Sequence, residues 1–182
     1  MRELSLHIMD IVENGISAGA DLIGIEIRDV PAENLLCITI RDNGRGIPED
    51  LLEKVTDPFF TSRTTRRVGL GLSLFLVAAR RCDGEFGISS KEGLGTTVTA
   101  TFKRDHIDLA PMGDMEGTLT SLIMGSPHVD FVCLYEAEGR RFLLDTREIR
   151  KELEEVPMNH PQVLKYISET IREGLKELSG RV

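Results

Sequence analysis

Cysteine is scarce in this chain of 182 residues: Cys37, Cys82 and Cys133 are its three, an odd number set in apolar contexts. A disulfide framework is not expected, and buried free thiols in a reducing cytoplasm account for them. No apolar run approaches membrane-spanning length and no signal peptide is evident, so a membrane partner is not expected and the localisation reads as cytoplasmic. Positive charge is also short. Twenty-two Lys and Arg against thirty Asp and Glu give a net charge of −8, which argues against a general nucleic-acid surface. One local cluster, Arg63, Arg66 and Arg67, calls for a smaller anion than DNA, although Arg66 and Arg67 read equally well as a solvated face. Repeats and low-complexity segments are absent. What remains is the composition of a globular protein, 41% hydrophobic and 29% charged, long enough for one domain or a domain with an appendage.

The most informative stretch runs from Ile38 to Pro48, where an alternating apolar run stops at Asp42-Asn43-Gly44-Arg45-Gly46. Two glycines one residue apart allow a tight turn and a close approach to a ligand. A carboxylate at the strand exit, held by that turn, can accept hydrogen bonds from something flat lodged against the glycines. A plain strand-to-helix turn and an adenine pocket both remain open at this point. A calcium loop does not: Gly44 and Gly46 supply no side-chain oxygen where ligands belong, and Ile47 stands in place of the required glycine.

In chain order, Leu4, Ile8, Ile11, Val12 and Gly15 share one helical face, and His7, Asp10, Asn14 and Ser17 form a polar stripe beside it. Strands follow at 22–29 and 35–41, antiparallel and joined by a turn at 30–34. Pro48 to Val55 reads as a short helix with acids in its first turn. Residues 57–69 lose periodicity and read as a loop. Gly69-Leu70-Gly71-Leu72 leads into a helix to about Arg81, apolar nearly all round and therefore buried, with Gly84 suited to its cap. Strands at 85–90 and 96–103 complete an α+β pattern. A boundary falls at 104–116. Beyond it come a short helix, a hairpin at 129–145, a helix to about Val156 opened by an Asp145/Glu148 capping box, and a last helix with a stripe of Leu164, Ile167, Ile171, Leu175 and Leu178. That stripe packs on its own sheet or, alternatively, serves a partner or a homodimer through the C-terminal helix.

Four pieces carry chemistry. Asp10 and Asn14 sit one turn apart and can hold a water and a magnesium ion, which takes few protein oxygens beside phosphate. Asp42, with Gly44 and Gly46, can hold an adenine edge. Arg63 can pair with phosphate, and Gly69-x-Gly71 offers bare amides at a helix start. The third glycine of a dinucleotide fingerprint is missing, and there is no Gly-Lys-Ser/Thr loop.

In order and wording these pieces resemble the boxes of the GHKL superfamily of ATP-binding domains: gyrase-type topoisomerases, heat-shock chaperones, mismatch-repair ATPases and histidine kinases. Asp10 to Asn14 is similar to the N-box, Asp42 to Pro48 to the first glycine box, and Pro58 to Arg63 to the F-box of histidine kinases. Gly69 to Ser73 and Gly93 to Val98 resemble the later glycine boxes, and the likeness covers about residues 4–103. It implies a two-layer α+β sandwich, helices on one face of a mixed β-sheet in a Bergerat-type fold, over residues 1–104. Residues 105–182 form a C-terminal hairpin-plus-helices extension packed on it.

The resemblance also implies ATP and Mg2+ as cofactors, with ATP or ADP bound. Asn14 is the magnesium ligand, Asp42 binds the adenine amino group, and Thr96 supports it through water. Gly44, Gly46 and Ile47 line the base. Arg63, Gly69, Gly71 and Leu72 border the phosphates under a lid of residues 57–70 that includes Phe60, Thr61, Ser62 and Leu70. Asp10 stands where ATPase branches place a glutamate general base, one methylene short, and Glu13 points about 60° or more away around the helix. A recess of about 1 Å costs roughly a hundredfold in rate. The expected function is therefore a Mg-ATP-binding regulator of an unidentified protein partner. A small protein kinase and a slow ATPase are the alternatives. No dimerisation helix with a phosphoacceptor histidine accompanies these boxes, so a self-contained sensor kinase is not expected. His7, His106, His128 and His160 read as structural.

Overall fold

The computed structural model describes residues 3–52, 54–55 and 70–178. Helix α1 (Leu4–Ser17) buries Leu4, Ile8, Ile11, Val12 and Gly15, the face that the apolar spacing marks out. It ends at Ala18, and Gly19 carries the chain away at φ +82. Strands β1 (Leu22–Val30) and β2 (Leu35–Asp42) pair antiparallel, joined through a 3-10 turn at Pro31–Glu33 and a left-handed Asn34.

Helix α2 (Glu49–Leu52) is a single turn, shorter than the 48–55 expected, and none of its residues is buried. Without an apolar face to bury, so short a helix has little to sustain it. Helix α3 (Leu70–Arg81) buries Phe75 and Ala79 but leaves Val77 47% exposed, so it is not buried all round. Its cap differs too. Asp83 takes the left-handed position (φ 52), while Gly84 is needed because a Cβ there would collide with the Thr101 carbonyl on the neighbouring strand.

Strands β3 (Phe86–Lys91) and β4 (Gly95–Lys103) form the second hairpin. The chain then runs back along α1, where the Pro111 and Met112 carbonyls accept from the amides of Leu4 and Ser5. After α4 (Met115–Gly125) come β5 (Asp130–Ala137), β6 (Arg140–Asp145), α5 (Thr146–Leu153) and α6 (Pro161–Leu178). The capping box at α5 does not form as expected. Asp145 accepts from the Arg147 amide, one residue short of Glu148, because its carboxylate also grips the Arg147 guanidinium at 2.9 and 2.6 Å. Glu148 is drawn to Lys151 at 2.7 Å instead.

The six strands form one mixed sheet in the order β3-β4-β2-β1-β5-β6, with β1 and β5 parallel and every other pair antiparallel. One face is apolar. Ile23, Ile25 and Ile27 of β1, Ile38 and Ile40 of β2, Val98, Ala100 and Phe102 of β4 and Phe131 and Cys133 of β5 are all buried there. The residues between them on β1, such as Glu26 and Arg28, face outward. The helices therefore cover one face, a two-layer α+β sandwich. An apolar stripe on α6 has two uses, and here it turns inward: Val163, Ile167, Ile171 and Leu178 are buried against the same core. Gly174 lets the helix rest on the Phe142 ring, which a Cβ there would strike.

Candidate functional site

Register turns the apolar face into successive rows. Ile88, Val98, Ile40 and Ile25 lie side by side across β3, β4, β2 and β1. Two residues along the strands, the next row reads Ser90, Thr96, Asp42, Ile23. The same face thus becomes polar abruptly at Asp42, since residues opposite one another share a face. Above that row lies α1. A Cβ added to Gly15 would stand 2.8 Å from the Asp42 Cβ and 3.3 Å from its Oδ2, so only glycine lets the helix approach the carboxyl this closely. Asn14 is the preceding residue on that helix.

The turn after Asp42 is held on three sides. Asp42 Oδ1 accepts from the Gly44 amide at 2.9 Å. Asn43 Oδ1 accepts from the amides of Asp21 and Leu22, each at 3.1 Å, while its amide group donates to Asp21 Oδ1 at 2.6 Å. The Arg45 amide donates to the Ala18 carbonyl, and the Arg45 carbonyl accepts from Gly93 at 2.7 Å. Gly46 needs its freedom twice over, for φ +71 and for the Lys91 carbonyl pressed against it. The Ile47 amide donates to Ser90 Oγ at 2.8 Å. Ser90 also donates to the Gly95 carbonyl at 2.8 Å and lies 2.9 Å from Thr96 Oγ1.

Burial raises the Asp42 carboxyl above its ordinary value, partly offset by the amides of Gly44 and Thr96. At the other end of the polar stripe, Gly71 in the first turn of α3 lies against Asp10, whose Cβ would be 3.0 Å from a Cβ there. Burial, and then the neighbouring Glu13 carboxylate, raises Asp10 as well. Leu72, next to Gly71, is half-buried against the core. Asp10 and Gly15 are five residues apart, about 7.5 Å along the helix. One helix therefore joins the Asp42 turn to the start of α3.

The structure so brings Asp10, Asn14, Asp42, Gly44, Gly46, Ile47, Gly71, Leu72 and Thr96 around α1 and the turn. Phe60, Thr61, Ser62, Arg63 and Gly69, with the lid assigned to residues 57–70 apart from its last residue, lie outside the described residues. Leu70 begins α3. His7 is a core residue, 3% exposed and stacked on Phe75 at 5.3 Å, and burial pushes it down to about 4. His106 and His160 accept backbone amides through Nδ1. In the sequence Asn43 carries only a turn signal, and Ser90 carries none. Ser90 shares the inward alternation of Phe86 and Ile88, but only the β3–β4 register sets it beside Thr96. Among the described residues no cluster of three or more His, Cys, Asp or Glu could hold a metal, and no helix is long and apolar enough to cross a membrane.

A family model described as "Histidine kinase-, DNA gyrase B-, and HSP90-like ATPase" matches residues 2–106. A sensor kinase, CckA of Brucella abortus (strain 2308), is 37% identical over 120 residues, covering 58% of this chain and 13% of that protein. Sporulation kinase C of Bacillus subtilis (strain 168) is 29% identical over 94 residues, covering 52% of this chain and 22% of that protein. The chain thus spans less than a quarter of the length of these relatives. Among solved structures, the N-terminal domain of a DNA repair protein shares the fold at a TM-score of 0.58 and 17% identity, over 80% of this chain and 53% of that one.

Proposed function

This chain belongs to the histidine kinase-, DNA gyrase B- and HSP90-like ATPases, and from that membership we propose that it binds Mg-ATP and uses the bound nucleotide on a protein partner rather than on water. One observation carries the reading: α1 sets Gly15 over the Asp42 carboxyl and, one and a half turns earlier, Asp10 against Gly71. That spacing gives a base-reading end and a phosphate end to a single site. At the first end, Asp42 accepts from the adenine amino group while Gly44, Gly46 and Ile47 line the ring. At the second, Gly71 and Leu72 at the start of α3 border the phosphates, with Arg63 and Gly69 assigned there from the family boxes.

The residues present fit the group. Asp42 is a half-buried carboxyl whose Oδ1 takes the Gly44 amide, while Oδ2 lies on the side that the bare Gly15 Cα clears. Asn14, one turn from Asp10, supplies a neutral oxygen suited to magnesium, which binds few protein ligands beside phosphate. The metal supplies charge neutralisation on the phosphates. A carboxylate one methylene short disfavours activation of free water, whereas transfer to a docked acceptor depends chiefly on positioning. The relatives named as kinases favour phosphotransfer. The short Asp10 equally favours a regulator whose partner binding follows nucleotide state, and this is the second reading. A cytoplasmic location belongs to the same proposal.

The test is a calorimetric titration of the chain with ATP, ADP and GTP, with and without magnesium, followed by γ-labelled ATP with a cell extract. Label on a protein supports phosphotransfer. Steady phosphate release that vanishes in Asp10→Ala identifies a slow ATPase instead. Tight, magnesium-dependent binding without either leaves the regulator, and no binding at all overturns the proposal.

A further inference from the structure

We propose that Ser90 fixes the direction of the Thr96 hydroxyl and so sets the site's preference for a 6-amino over a 6-oxo purine. The inference rests on the adenine assignment above. It follows from counting hydrogens. Ser90 Oγ has one proton, and the Gly95 carbonyl at 2.8 Å can only accept, so the proton goes there. The Ile47 amide at 2.8 Å can only donate, so it uses one Ser90 lone pair. The contact between Ser90 Oγ and Thr96 Oγ1 at 2.9 Å then has one assignment left: Thr96 donates and Ser90 accepts. With its proton committed to Ser90, the Thr96 hydroxyl offers only lone pairs to a ligand.

Thr96 is the register partner of Asp42, so two acceptors stand side by side at this end of the site. A pair of acceptors rewards a ligand edge that donates and repels one that accepts. The exocyclic group of adenine donates two hydrogens, one for each acceptor, whereas the 6-oxo group of inosine or guanine accepts and leaves only the N1 hydrogen beside it to donate. Asp42 alone would favour adenine. A freely rotating threonine beside it would turn its proton toward the oxo group and soften the selection. Ser90 removes that option. Because the same oxygen holds the Ile47 amide, the wall beside the base and the polarity of its floor are set by one side chain.

The experiment uses the full chain and compares ATP with inosine triphosphate, which differs at the 6-position without adding a 2-amino group. In the wild type, ATP binds more tightly. In Ser90→Ala, Thr96 is released to donate, and the ratio of the two dissociation constants narrows roughly three- to tenfold, the worth of one hydrogen bond. Ser90→Thr, which keeps the hydroxyl, retains the wild-type ratio. If Ser90→Ala does not fold, Ser90→Cys carries the test, since its sulfur is a weaker acceptor for the Thr96 proton and must also narrow the ratio. A purely structural role would weaken both nucleotides equally and leave the ratio unchanged, and that result overturns the inference. Failure of the wild type to bind ATP overturns the function itself, a separate and visible outcome.

Discussion

Gly15→Ala isolates the contact on which the site turns. The residue lies within α1, where alanine in place of glycine is ordinarily worth about 0.5–1 kcal/mol of added stability. Here the new methyl would stand 2.8 Å from the Asp42 Cβ and 3.2 Å from its Cγ. Those atoms sit close to a strand backbone and cannot swing aside as the tip of a long side chain would, so either α1 lifts or the carboxyl rotates. Overpacking of this kind costs about 1–3 kcal/mol, which leaves a net loss of about 0–2.5 kcal/mol after the helical gain. Nucleotide affinity suffers as well. A charge-assisted hydrogen bond is worth about 1.5–3 kcal/mol, and losing half of it weakens ATP binding by roughly three- to tenfold. Gly24→Ala is the control, because a Cβ there meets nothing within 4 Å and the strand gains about 0.5–1 kcal/mol. Calorimetric titration and thermal melts of both variants provide the measurement. If Gly15→Ala binds ATP like the wild type while folding normally, Asp42 does not read the base.

Asp42→Asn keeps the acceptor for the Gly44 amide but loses the charge, and ATP affinity should fall about tenfold to a hundredfold in the same titration. Glu13→Gln removes a charge that holds the Asp10 carboxyl up. The acid limb of any phosphate release should therefore move to lower pH, and an unmoved limb would exclude Asp10 as the base. His7 is held at about 4 against 6.5 unfolded, so the unfolded chain takes up the extra proton between those values. Stability is then full above about pH 6.5 and falls by roughly 3 kcal/mol as pH drops to about 4. His7→Phe, stacked on Phe75 in its place, should flatten that slope in denaturant melts at a series of pH values, and an unchanged slope would refute the assignment. Ile167→Ala empties a fully buried position on α6 and should cost about 2–5 kcal/mol. Since β5 continues the sheet beside β1, a single calorimetric transition should shift as a whole, whereas two separated transitions would contradict the shared core.

Much of this fold is legible because its signals are local. The alternation of Ile23, Ile25 and Ile27 names a strand with one buried face, and the stripe on α6 names a helix, without knowledge of any neighbour. Neighbours are what the sequence withholds. Nothing in residues 130–137 tells that they lie parallel to β1, because alternation fixes the face of a strand but not its partner. The site shows the same division. Asp10 and Asn14 announce themselves by helical spacing, and the Asp42 turn by its glycines. Ser90 has no motif, since its role exists only once the hairpin register sets it opposite Thr96. Glycines were legible as glycines but not by reason. Gly15 counts in the sequence as one more small residue on the apolar face of α1, and Gly84 as a left-handed cap. The first is required by the Asp42 side chain and the second by the Thr101 carbonyl.

The location of the site follows from where the apolar layer ends. Across β3, β4, β2 and β1, the row of Ile88, Val98, Ile40 and Ile25 gives way within two residues to Ser90, Thr96, Asp42 and Ile23. Polar groups turned toward a covering helix are costly unless each finds a partner. Ser90 and Thr96 satisfy one another with the Gly95 carbonyl and the Ile47 amide. Asp42 is answered only in part, by the Gly44 and Thr96 amides, and burial still lifts its carboxyl above the usual range. A ligand that donates to that carboxyl favours its ionised form. The free energy that burial costs Asp42 is thereby returned when a donor arrives, so on the proposed reading the residue that weakens the apolar layer is also the one that selects what completes it.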